Sequence, residues 1–394
     1  MPANVVRNSR ASIVLAIFVL ASTISSAHAQ DRSQPSERSE TVLQKALKRV
    51  PPPDQGSGFH FTKHLAVVFG GIKPGQGIAL GPALSTTFAD GGYAQLKGVY
   101  SVRNFRLVQA RYDTRPFWHR RSMLVTRVRW QDAPDLALYR IGIDSPRDRA
   151  QYGEQKTEVS TALDTRITRI LHLAAAFGIE RYAISTGSVD TGEDHALAGV
   201  PLEPGLSTRP WLTHGAIGVA IDTRRSGYAR SGTILDAGAG NYLDWHDGTY
   251  AFQHLEGGVR EFLAVGSRGS VGVSTRAWFS HAGEGHVVPF YLMPTLGGGE
   301  ALEAFNTYRF RDHDAWWLRA EYRHSVHDMI DAVGFYEAGT VAPKARLLSL
   351  GQSVRDAGGG IIVHTRDATL LRLELARGFE GFGLTILFTP GGRL

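Results

Sequence analysis

Along much of this chain, apolar and polar side chains alternate with a period of two, the spacing of a β-strand. Trp316, Leu318, Ala320 and Tyr322 share one face, and Trp317, Arg319, Glu321 and Arg323 share the other. Val159, Thr161, Leu163 and Ile167 oppose Glu158, Ser160, Asp164 and Arg166. Leu371, Leu373 and Leu375 oppose Arg372 and Glu374. Leu124, Val128 and Trp130 oppose Arg127 and Arg129. Segments of this kind recur roughly every 20 residues, about ten for a strand and the rest for a connection. They are expected at Ile78–Thr86, Tyr93–Ser101, Arg106–Thr114, Met123–Gln131, Leu136–Ile143, Thr157–Ile167, Leu171–Ser185, Leu212–Thr223, Gly232–Trp245, Tyr250–Val265, Ser270–His281, Ala315–Ser325, Val333–Val341, Gly358–Thr365, Thr369–Ala376 and Gly383–Phe388. That makes about sixteen strands, an even number, as a bacterial membrane barrel requires.

A soluble sandwich alternates too, so the period alone does not choose between them. Three features favour the membrane. Aromatic residues stand at strand ends (Tyr112, Trp130, Trp245, Trp278), no second apolar layer is evident, and the chain opens with an export signal. Residues 1–29 read as a secretory signal peptide. Arg7 and Arg10 are its basic start, Ser12–Ser22 its apolar core, and Ala27-His28-Ala29 its cleavage site. Residues 30–69 read as a periplasmic leader. It contains one short helix, from the capping-box start Thr41–Gln44 to Val50, halted by Pro51-Pro52-Pro53. Residues 70–394 are expected to be the barrel. The expected fold is therefore all-β, a transmembrane antiparallel barrel in the outer membrane of a Gram-negative bacterium. Long loops at Asp144–Lys156, Ser185–Pro210 and His281–Asp312 face outward, and both ends of the mature chain lie in the periplasm.

Composition narrows the function. The chain has no cysteine, so it has neither disulfide framework nor thiol chemistry. Its 45 glycines and 10% aromatics suit many strands joined by tight turns. The formal charge of +6 is modest and scattered, which argues against nucleic-acid binding and fits an Arg-lined lumen. No catalytic motif, metal-ligand spacing or phosphate loop is present, so no cofactor or metal is expected and enzyme activity ranks last. Lumen-facing charges are expected at Gln95, Lys97, Arg111, Arg127, Arg129, Arg319, Glu321, Arg323, Arg372 and Glu374, where they would chiefly fill and stiffen the interior.

One stretch organises the rest. Gly297-Gly298-Gly299 is a hinge that opens a long polar loop containing Leu302-Glu303-Ala304-Phe305, and Arg309-Phe310-Arg311-Asp312 is the stem that ends it. Glu321-Tyr322-Arg323 and the strand Phe335-Tyr336-Glu337-Ala338-Gly339 follow. In the order and spacing of Gly297–Gly299, Arg309–Asp312 and Glu321–Arg323 this resembles the barrel of the Omp85 superfamily, the bacterial surface antigen D15 type; Leu302–Phe305 and Phe335–Gly339 stand where that family has its loop tip and Phe-x-Asp-x-Gly strand and depart from both. Further matches run from Leu138-Tyr139-Arg140 through Asp222-Thr223-Arg224 to Gly358-Gly359-Gly360 and Ala376-Arg377-Gly378. The last strand resembles the assembly signal of outer-membrane proteins, with Gly383, Ile386 and Phe388 at its glycine and hydrophobic positions; the tail Thr389–Leu394 departs from it.

The resemblance implies an inward-folded loop in the lumen. In the family its tip, Leu-Arg-Gly-Phe, places the Arg against the Asp of a Phe-x-Asp-x-Gly strand. Here both equivalents are acids, Glu303 and Glu337, and a base from Arg309, Arg319 or Arg323 is expected to neutralise them. About 40 residues precede the barrel, too few for one of the family's periplasmic POTRA modules. The implied function is help with protein or lipid insertion or translocation alongside a separate periplasmic partner. A passive pore or structural surface protein is the alternative. Outer-membrane lipids, lipopolysaccharide and, during insertion, the barrel-assembly machinery are the other expected partners.

Overall fold

The computed structural model describes residues 58–69, 72–73, 77–147, 149–186, 203–225, 228–298, 301–365 and 369–388. The signal peptide, the leader helix and the tail Thr389–Leu394 lie outside the described residues. The strands are β1 (Gly58–His60), β2 (Leu65–Phe69), β3 (Ala79–Thr87), β4 (Tyr93–Ser101), β5 (Arg106–Asp113), β6 (Ser122–Leu138), β7 (Ala150–Arg166), β8 (Leu171–Thr186), β9 (Trp211–Asp222) and β10 (Gly232–Asp244). They continue as β11 (Phe252–Val265), β12 (Gly269–Ala282), β13 (Thr295–Leu296), β14 (Phe310–Arg311), β15 (Asp314–His327), β16 (Ile330–Ala342), β17 (Val354–His364), β18 (Thr369–Gly378) and β19 (Gly381–Phe388).

One antiparallel sheet holds all of these except the small β13–β14 hairpin. Sixteen of its strands, β2–β12 and β15–β19, form the barrel wall, each hydrogen-bonded to the next along the chain. The three-residue β1 is an addition to β2. Both β1 and β3 pair with β2 across Ala66, Val67 and Val68, so β1 occupies the edge that β3 leaves free. That edge faces the seam, where the first and last wall strands come round to each other.

The count of sixteen hides two differences from the sequence reading. The wall begins earlier than residue 70, with β2. Met123–Gln131 and the first three residues of Leu136–Ile143 belong to one seventeen-residue strand, β6, and residues 139–143 lie in the connection after it. The residues Ala133-Pro134-Asp135, between the two expected strands, are absorbed as an irregularity in which the β6–β7 register shifts between Ala133 and Leu136. A proline is tolerated at such a bulge because no ladder hydrogen bond is asked of it. Strand β7 also starts at Ala150, so most of Asp144–Lys156 is wall and not loop.

The pattern is inverted relative to a soluble protein. Ile217, Phe382, Leu384 and Ile386 are each at least 60% exposed on the outside, while Glu154, Glu180, Glu337 and Glu374 are buried within. Charges turned inward and aliphatics outward are what a lipid-embedded wall demands. No helix among the described residues is long and apolar enough to cross a membrane.

Because consecutive wall strands are antiparallel, the ends of β6, β8 and β12 and the starts of β7, β9 and β15 all lie at one rim. The start of β2 and the end of β19 lie at the other. At the loop-bearing rim the interior is not polar. Phe290, Tyr291, Met293, Leu206 and Tyr308 from the loops pack against Leu136, Leu138, Tyr182, Leu212 and Phe252 of the wall. The apolar layer that the sequence hides is therefore supplied by loops, which cap that end of the lumen.

Candidate functional site

The inward loop is built on the β13–β14 hairpin, in which Thr295 pairs with Arg311 and Leu296 with Phe310. At its hinge Gly297 has φ 112° and Gly298 φ 72°. A Cβ on Gly297 would lie 2.3 Å from the Asn306 carbonyl oxygen, so the turn closes only with glycine. The tip residues Leu302, Glu303, Ala304 and Phe305 are all buried. The loop therefore lies inside the barrel. Its apolar tip packs with Phe310, Ala315, Phe335, Val341 and Ala376.

Arg319, on the inner face of β15, is the electrostatic centre. Its Nη1 donates to Glu303 Oε1 at 2.7 Å and to Glu337 Oε1 at 3.4 Å. Its Nη2 donates to Glu374 Oε1 at 2.8 Å and its Nε to Glu321 Oε2 at 3.0 Å. One guanidinium thus touches four carboxylates from the loop and from β15, β16 and β18. The planar fork of arginine suits this, since it presents five donors and stays charged. Without it, two carboxylates about 4 Å apart would repel by roughly 4 kcal/mol at an effective dielectric near 20.

Glu337 has a second task. Its Oε2 accepts the backbone N–H of Glu303 at 2.9 Å and its Oε1 the indole N–H of Trp317 at 3.1 Å. Asp356 of β17 likewise accepts the Ala304 N–H at 2.8 Å. Two strand carboxylates therefore hold the tip by its backbone, a contact open to any residue type at the tip. Glu303 itself is pushed up to about 8 by burial and by its hydrogen-bonding neighbour Glu374, against the pull of Arg319. Its Oε2 meets no donor among the described residues, so a proton there has Glu374 as its acceptor.

A second arginine holds the stem. Arg309 donates through Nε to Glu380, in the turn between β18 and β19, at 3.0 Å, and its Nη2 lies 2.8 Å from the same carboxylate. Its Nη1 and Nη2 also donate to Ser145 Oγ and to the Ser145 carbonyl, each at 2.8 Å. Arg311 lies over the rings of Phe290 and Tyr308, where a delocalised cation is favoured. Asp312 accepts from the His313 backbone N–H at 2.8 Å. Arg323 donates to Glu321 at 2.6 Å and stacks over Phe262, while Arg372 donates to Glu321 at 3.2 Å.

The last strand is part of the same site. A Cβ on Gly383 would fall 1.9 Å from the Glu303 carbonyl oxygen, so the tip rests directly on the inner face of β19. Ile386 points to the outside. Phe388 ends β19, and its side chain lies outside the described residues. Of the bases weighed from sequence, Arg319 sits between the two acids; Arg309 and Arg323 serve elsewhere. Sequence reasoning missed Asp356, Glu380, Ser145 and the Trp317 donor. Asp356 offered one faint signal, an acid on the inner parity of a glycine-rich strand.

No protein-family model matches the sequence, and no curated protein matches it either. The fold, however, is similar to solved structures. BamA from Haemophilus ducreyi lacking POTRA domains 1–3 superposes with a TM-score of 0.60 at 12% identity, over 82% of this chain and 69% of that one. CdiB from Acinetobacter baumannii gives a TM-score of 0.51 at 9% identity, over 84% of this chain and 57% of that one. CdiB from Escherichia coli gives 0.52 at 13%, over 83% and 59%. The chain thus spans less than two thirds of either CdiB structure. It has a β-barrel fold similar to these structures.

Proposed function

We propose that this chain is an Omp85-type barrel of the outer membrane that assists insertion or translocation of proteins or lipids, with its working part at the seam beside β19. A separate periplasmic partner would deliver the cargo. The observation that carries this reading is the grip of the inward loop on the last hairpin. Its tip lies on Gly383, Arg319 ties tip to β18 through Glu374, and Arg309 ties stem to the β18–β19 turn through Glu380. A loop attached in this way can set whether the last hairpin holds its place. Glycine at the seam edges weakens strand pairing there further. Similarity of fold to BamA and CdiB supports the class.

The alternative is a passive pore. A lumen capped by apolar loops at one rim and crossed by a buried ion network speaks against a wide aqueous channel. Planar-bilayer recording separates the two: brief, small openings are expected, whereas large, steady channels would favour the pore. Cross-linking in intact cells followed by co-purification tests for the periplasmic partner.

A further inference from the structure

We infer that the rim bearing the chain ends carries a binding patch for anionic phospholipid headgroups, formed by the β5–β6 and β7–β8 connections. This rests on the reading of the barrel as an outer-membrane protein with that rim in the periplasm.

The connection 114–121 reads Thr-Arg-Pro-Phe-Trp-His-Arg-Arg. Three successive residues in it, Trp118, His119 and Arg120, have φ of 46°, 56° and 60°. Bulky L-residues avoid this left-handed region, so a run of three is backbone strain retained on a surface turn. The turn is well defined. The Arg121 N–H donates to the carbonyls of Phe117 and Trp118, each at 3.1 Å, and Ser122 donates back to Phe117 at 3.2 Å. Arg121 Nη1 donates to the Ile167 carbonyl at 3.3 Å, and the Arg166 N–H to the Arg121 carbonyl at 2.8 Å. These bonds join the two connections into one surface.

That surface is both aromatic and cationic. Phe117 and Trp118 are exposed, and beside them Phe88 stacks edge-on against Tyr112 at 6.2 Å on the lipid-facing wall. Aromatic rings at this level are the belt that anchors a barrel at the membrane interface. Arg115, Arg120 and Arg169 are exposed and form no ion pair with any described residue. The neighbouring connection 88–92 contributes the one acid of the three turns, Asp90, which accepts from the Gly92 N–H. Arginines left without carboxylate partners, set beside interfacial aromatics, match a phosphate group held at the headgroup level. A soluble acidic partner would find the charges but has no use for rings set at the edge of the lipid-facing wall.

The full chain, folded and purified in a neutral detergent, is incubated with equal amounts of phosphatidylglycerol and phosphatidylethanolamine, and the retained lipid is counted by native mass spectrometry. The wild type should retain phosphatidylglycerol preferentially. Combined Arg115→Gln, Arg120→Gln and Arg169→Gln should erode the preference by roughly a factor of five per arginine. Trp118→Ala should lower retention of both lipids and leave their ratio unchanged. Heat-modifiable gel mobility shows that each variant is folded. Equal retention of the two lipids, an unchanged ratio in the triple variant, displacement by inorganic phosphate, or stronger retention of lipopolysaccharide would each overturn the assignment. A chain that shows no heat-modifiable barrel at all instead refutes the outer-membrane reading beneath it.

Discussion

The Arg319 guanidinium lies 2.7 Å from Glu303 Oε1 while the backbone N–H of the same glutamate lies 2.9 Å from Glu337 Oε2. Two acids thus share one binding arrangement because one uses its side chain and the other receives a backbone amide. Removing the arginine takes away the one guanidinium among the described residues that touches all four buried carboxylates, Glu303, Glu321, Glu337 and Glu374. Arg319→Ala should cost about 3–5 kcal/mol, the usual penalty for leaving buried charge unpaired. The temperature at which the folded gel band converts to the unfolded one should fall sharply. Arg319→Lys, a single point charge, should recover part of the loss and not all of it.

Gly383→Ala places a methyl where the Glu303 carbonyl oxygen now sits. The tip must lift, and the loop should become open to protease added to the folded barrel, a change that Ile386→Ala on the outer face should not produce. Gly383→Asp should be worse, and together with Phe388→Ala should impair insertion more than any change in Thr389–Leu394. Loss of heat-modifiable protein from outer-membrane fractions is the readout; greater damage from deleting the tail would show that the assembly signal lies there.

Loop docking should depend on pH through Glu303. Its folded-state pKa, about 8, stands above that of an unfolded glutamate because of burial and Glu374. The docked loop therefore binds an extra proton between these two values. Its stability is fully present below the unfolded value, near pH 4.3, and declines as pH rises through about 8. Arg319, Glu337 and Glu374 face this carboxyl and set the size of the effect. Protease cleavage of the loop should speed up between pH 6 and about 8.5, and Glu303→Gln should flatten that dependence.

Strand faces were legible in the sequence because a membrane wall forces strict alternation, as at Arg319, Glu321 and Arg323. The hinge and stem were legible from their glycines and charges, and the tip only from the family resemblance. Three things were not. Strand β6 runs through Ala133-Pro134-Asp135 because a bulge absorbs the proline. The apolar cap was hidden because its residues come from separate loops. Ser145 lies 164 residues from Arg309, and Asp356 lies 52 from Ala304, so only the curvature of the barrel brings them to the site.

Topology is testable because the chain has no cysteine of its own. Ser349→Cys, in the connection after β16, should react with a membrane-impermeant maleimide on intact cells. Asp328→Cys, at the opposite rim, should react only once the outer membrane is opened. The reverse pattern would invert the barrel.

The grip of β1 on the free edge of β2 predicts a further effect on the seam. Phe59→Pro removes a backbone donor from a three-residue strand. Photocrosslinking between β2 and an added strand-forming peptide should increase in this variant. No increase would mean that β1 does not guard the edge.

The central claim is that the loop tip holds the last hairpin in place. A Cβ built on Gly378 lies 3.2 Å from that of Ala304, close enough for a bridge after a small adjustment. The direct test is single-channel recording of the Ala304→Cys/Gly378→Cys variant in a planar bilayer, before and after reductant. The account predicts a silent barrel when oxidised and a return of brief, small openings on reduction. Large, steady conductance that is indifferent to the disulfide would contradict it.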